Sequence, residues 1–158
     1  MAKARAVPGF AEAPSFKVAA ALTVTVRTEE VFAHAEGVLD TDDIERVHDM
    51  RVATRRLRAA LEIFAACFPT KEHHRLLSEV KTLADVLGER RDPDVSIAGL
   101  ERVEEALTAN ERPGIRHLVA DMRARQAAAN ERLAAELERV ASEALCDRLL
   151  AMAARAAA

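Results

Sequence analysis

The sequence predicts an all-α fold, a four-helix-type bundle of long antiparallel helices, on three observations. Alanine, leucine, arginine and glutamate are abundant, while there is no Trp or Tyr and Gly occurs only five times, a composition that suits helices rather than sheets. Apolar residues return at three- and four-residue intervals and hardly ever alternate. Proline, glycine and capping residues cut the chain into long segments with short connections, which set neighbouring helices antiparallel. A length of 158 residues suits one domain with a real core.

Pro8, Gly9 and Pro14 mark residues 1–14 as a flexible N-terminal arm, and the bundle is expected over 15–152. Ser15 is placed to cap a first helix running to about Leu39, with Val18, Leu22, Val26 and Phe32 among its apolar residues. Thr41 or Asp42 caps the second helix, and Pro69 stops it. A third runs from about Thr70 to Gly88, with Leu76, Leu77, Val80, Leu83, Ala84 and Leu87 on one face. Gly88 reads as its end, and Asp92-Pro93 as the N-cap and first residue of a short fourth helix ending near Asn110. Pro113 opens a last long helix to about Met152, burying Ile115, Leu118, Met122, Ala129, Leu133, Leu137, Val140 and Ala144. The alanine-rich residues 153–158 are expected to fray.

A net charge of −3 argues against a generally basic nucleic-acid binder, so any large positive surface must be local. No apolar run approaches the ~18 residues of a membrane span, and the start lacks the apolar stretch of a secretion signal. Two cysteines, Cys67 and Cys146, are too few and too far apart for a disulfide framework, which suits a reducing, cytoplasmic setting.

The local charge sits in the second helix. At ~100° per residue, His48, Arg51, Arg55 and Arg58 fall on one stripe, opposite Met50, Ala53, Leu57, Ala60, Leu61 and Phe64. Solvated helix faces ordinarily mix signs at four-residue spacing. Between Arg46 and Arg58, however, there are five arginines and one acid, Asp49. Such self-repulsion wants an anionic partner. Arg56 points ~80° from His48, nearer the core margin, where pairing with an acid competes with ligand binding. Lys81, Arg91, and Arg27 with His34 also lie off the apolar faces and join the candidate binding set.

The segment VHDMRVATRRLRAALEIF, followed by LGERRDPDV at Leu87 to Val95, resembles the CHAD family, the conserved histidine α-helical domain. The likeness spans Leu22 to Leu150, with both motifs in the family's order and spacing. It implies an all-helical fold that binds inorganic polyphosphate through a basic surface, often in proteins directed to polyphosphate granules. Typical members contain two four-helix bundles, each with a His- and Arg-bearing helix, and this chain is expected to hold only the first. Arg90 departs from the family by standing where a small or apolar residue is common.

Polyphosphate suits the stripe chemically, because arginine meets phosphoryl oxygens with a planar fork of donors that stays charged at physiological pH. His48 to Arg58 spans ~15 Å at ~1.5 Å per residue, room for several consecutive phosphates. The expected partners are therefore inorganic polyphosphate and a second copy of the chain, either as a two-fold dimer or assembled on long polyphosphate. Membranes and nucleic acid are not expected partners. No cofactor or metal is expected: His73 and His74 face different ways and make a poor zinc set with Cys67, while Asp92 and Asp94 suit capping and arginine orientation. No Gly-rich phosphate loop is present, so the chain reads as a binding module rather than an enzyme.

Two other classes compete. A histidine phosphotransfer bundle would use His48 as phosphoacceptor with Arg51 three positions on, but Val52 stands where such domains place a small residue, and an arginine row is superfluous there. Nonspecific nucleic-acid binding through phosphates would lack stacking aromatics.

Overall fold

A computed structural model describes residues 3–158, so the first two residues of the expected arm lie outside the described residues. Five α-helices form a bundle, with no strand among the described residues: α1 (Phe16–Ala33), α2 (Ile44–Ile63), α3 (Thr70–Ala106), α4 (Arg112–Ser142) and α5 (Leu145–Ala157). A 3-10 turn, Ala65–Cys67, follows α2. Helices α1, α2 and α3 pack in sequence, α4 returns along α3, and α5 closes the ring against α1. Together α4 and α5 fill the fourth position.

The core unites Val24 and Val31 of α1, Met50, Leu57 and Leu61 of α2, and Leu76, Leu83 and Leu87 of α3. Leu133 of α4 and Leu149 and Met152 of α5 complete it. Ser15 caps α1 as expected, its hydroxyl accepting from the Val18 N–H at 3.2 Å. Helix α1 nevertheless stops at Ala33 rather than Leu39. Its buried face is Ala20, Ala21, Val24, Thr28 and Val31, leaving Val18, Leu22, Val26 and Phe32 half-buried. Residues 34–43 form a loop in which Gly37 takes a positive φ of 70°. Asp43, not Thr41 or Asp42, precedes α2, and its carboxylate accepts from Arg46 Nε at 3.0 Å instead of capping the helix.

The expected break between Gly88 and Asp92 is not there. Helix α3 runs through both, although Pro93 lacks an N–H and an interior proline costs ~3 kcal/mol. Contacts on either side hold the helix through it. Arg90 and Asp94, both fully buried, form an ion pair one turn apart. Arg90 Nε donates to Asn130 of α4 at 2.9 Å, and Gln126 of α4 donates to Asp94 at 2.7 Å. Asn130 in turn donates to the Leu39 carbonyl at 3.0 Å, tying the α1–α2 loop to the same network. Local sequence punctuation lost to tertiary bonds.

The expected last helix breaks instead at Ala144, a non-glycine residue with φ of 51°. This redirects α5 onto α1, so that Leu145, Leu149, Met152 and Ala153 are buried. Helix α5 continues to Ala157 through the segment expected to fray, pinned to α3 by Arg148–Glu79 and by Arg155–Glu72 at 2.6 Å. The N-terminal arm also has an anchor: the Arg5 N–H donates to buried Glu30 at 2.7 Å.

With 37 and 31 residues, α3 and α4 are far longer than α1 with 18 and α2 with 20, so their distal halves overhang the bundle as a two-helix hairpin. Along that hairpin Ile97 and Val119 are buried outside the main core, while Val95, Val103 and Leu118 are exposed. The expected inward position of Leu118 is therefore corrected.

Candidate functional site

Helix α2 buries Val47, Met50, Ala53, Leu57 and Leu61, which fixes the opposite direction for His48, Arg51, Arg55 and Arg58. His48 and Arg51 are half-buried and Arg55 is exposed. Arg51 lies along α3 at Gly88, where a Cβ would stand 3.8 Å from its Nε. That is ordinary van der Waals contact, so Gly88 neither ends the helix nor is required for the guanidinium to fit beside it.

Each of the other three arginines of α2 has a carboxylate. Arg46 pairs with Asp43 at 3.0 Å, Arg58 with Glu62 at 3.0 Å, and Arg56 with Glu30 at 3.9 Å. Among the described residues no ion pair involves Arg51 or Arg55, and the buried Arg51 Nε has no hydrogen-bond partner. Arg55 and Arg56, with Val52 and Ala59, line a shallow groove of about 330 Å³ on the outer face of the helix.

The remaining candidates divide into two groups. Lys81 and Arg91 of α3 border the strip on the Arg51 and Arg58 side. Lys81 reaches Glu62 at 3.4 Å, and Arg91 donates to the Ile44 carbonyl at 3.1 Å while approaching Glu45 at 3.5 Å. Arg27 is drawn away toward the α1 side, where it pairs with Glu30 and donates to the Arg5 carbonyl at 2.9 Å. Burial would raise the Glu30 pKa, but the Arg5 N–H, the Arg27 hydrogen bond and the charges of Arg27 and Arg56 outweigh it and hold the carboxyl below its usual range. Arg27 is thereby engaged in structure, and His34 terminates α1.

Two acids matter more here than the sequence pattern suggested. Glu62 bridges Arg58 and Lys81, and their hydrogen bonds and charges outweigh burial and hold its pKa down. Its spacing of four from Arg58 was a readable signal, whereas Lys81 comes from another helix. Near the start of α2, Glu45, His48 and Asp49 place potential ligand atoms within 4.8 Å of one another, a set able to hold a metal ion where the sequence reading expected none. Glu45 is exposed and shared with Arg91, so the set is open to solvent.

A family model described as CHAD domain matches residues 24–158. The chain belongs to the CHAD family. That family is associated with polyphosphate binding in general. Among curated relatives, the uncharacterized protein Rv2226 of Mycobacterium tuberculosis (strain ATCC 25618 / H37Rv) is 39% identical over 66 residues, 42% of this chain. The uncharacterized protein MT2285 of Mycobacterium tuberculosis (strain CDC 1551 / Oshkosh) is 38% identical over the same length, again 42% of this chain. The match spans only 13% of each of these proteins. No solved structure matches the chain. No helix among the described residues is long and apolar enough to cross a membrane.

Proposed function

We propose that this CHAD chain is a non-catalytic binding module for inorganic polyphosphate, gripping phosphoryl oxygens with His48, Arg51 and Arg55 and extending to Arg58, Lys81 and Arg91. The observation that carries the reading is selective pairing on one helix: Arg46, Arg56 and Arg58 are matched by carboxylates, while Arg51 and Arg55 one turn apart are not. Unneutralised cations one turn apart suit an anion of repeating charge, and guanidinium forks hold its oxygens without transferring protons. The cytoplasm and the surface of polyphosphate granules are the locations this reading implies. An open strip also leaves the far side of the bound chain free for a second copy.

Calorimetric titration at low salt tests it. Long-chain polyphosphate should bind with micromolar or better affinity, about −8 kcal/mol or stronger, and far more tightly than orthophosphate or duplex DNA of equal charge. Arg51→Ala with Arg55→Ala should weaken binding by roughly 3 kcal/mol, about 1.5 for each charge-assisted contact, with helical circular dichroism unchanged. Equal affinity for duplex DNA would sink the reading. A phosphoryl adduct on His48 after incubation with acetyl phosphate would favour phosphotransfer instead.

A further inference from the structure

Glu62 occupies the end of the strip that polyphosphate would have to enter. Its carboxylate lies 3.0 Å from Arg58 Nε and 3.4 Å from Lys81 Nζ, and all three side chains are more than two-fifths exposed. Exposed pairs of this kind are weak and readily exchanged for another anion. The stretch from His48 to Arg55 covers only ~10 Å, and Arg58 and Glu62 stand ~5 and ~10 Å farther along the helix. A short phosphate chain held by His48, Arg51 and Arg55 therefore ends before it can compete for Arg58 and Lys81. A long chain reaches them and, carrying many charges on one backbone, displaces a single tethered carboxylate at high effective concentration.

Resting on the polyphosphate reading of the strip, we infer that Glu62 is an internal competitor that tempers the affinity for chains long enough to reach Arg58 and Lys81. A chain that binds Arg58 and Lys81 must first displace it, whereas one confined to His48, Arg51 and Arg55 does not. The other end is held differently. Arg91 is only slightly exposed and is fixed by the Ile44 carbonyl as well as by Glu45 and Asp94, so it stays in place whichever anion is present. The exchangeable competitor is thus Glu62.

The test is Glu62→Gln, titrated with tripolyphosphate and with long-chain polyphosphate. Glu143→Gln serves as a control that removes the same charge at the end of α4, where Glu143 pairs with Arg139 at 2.8 Å. The inference expects Glu62→Gln to tighten long-chain binding about three- to tenfold, the worth of two exposed pairs, and to leave tripolyphosphate within about twofold. The control should change neither. Equal tightening in both variants would reduce the effect to net charge and overturn the inference, as would unchanged long-chain affinity in Glu62→Gln. Failure of the unaltered protein to bind any polyphosphate would remove the strip reading itself, and the role of Glu62 with it.

Discussion

Glu30 lies buried beneath the Arg5 N–H, Arg27 and Arg56, and its depressed pKa has a consequence for acid stability. Folding holds this carboxyl below its ordinary value of 4.5, so its contribution is fully present above that value and is lost as pH falls through the lower, folded one. Glu30→Gln should therefore cost about 1–3 kcal/mol near neutral pH, because Arg27 and Arg56 lose this carboxylate, and the difference should shrink below about pH 4.5. Thermal melting of both proteins across pH checks this, and a gap that persists in acid would count against it. At this scale the sequence showed which way each α2 residue points, since helical period and the apolar face fix that direction. It could not show which acid each arginine meets, because Glu30 comes from α1 and Lys81 meets Glu62 from α3. Arg27 consequently read as a ligand candidate, although the fold engages it with Glu30.

Helix α3 owes its length to bonds made across to α4, and those bonds can be removed singly. Arg90→Ala would leave buried Asp94 with Arg91 at 3.9 Å as its nearest cation and Gln126 as its hydrogen-bond donor, and Asn130 would keep only its bond to the Leu39 carbonyl. Breaking a buried pair from one side typically costs 3–5 kcal/mol, and Arg91 keeps the expected loss near the lower end, about 3 kcal/mol. Urea unfolding measures it, and a cost under about 1 kcal/mol would show that the network does not hold the helix across Pro93. The misreading of this region has the same origin. Gly88 and Asp92-Pro93 carry the local marks of a helix end and a helix start, and only Gln126 and Asn130, far along the chain, override them. The break at Ala144 had no local mark at all, since alanine ordinarily favours helix. There the burial of Leu145, Leu149 and Met152 against α1 outweighs a left-handed residue costing roughly 1–2 kcal/mol.

For the whole molecule, the strip on α2 is open on its outer side, and a chain lying along it would keep half its charge exposed. Bringing two such strips together without ligand sets like charges face to face, so the pairing should form only around polyphosphate. Light scattering should find two copies per long chain and single copies with tripolyphosphate. A one-to-one complex at every chain length would mean that the strip works alone. The all-α class and the bundle were legible from composition and spacing, whereas the overhang of α3 and α4 was not, because it depends on a helix passing through Pro93. That overhang has its own consequence. Its distal half rests mainly on two helices with Ile97 and Val119 between them, so it can separate and re-form at small free-energy cost while the body beneath stays closed. Amide hydrogens near Val103 and Leu118 should then exchange with solvent long before those of α2, and a protease would find the molecule at that tip first, leaving the arginine strip intact on a rigid base.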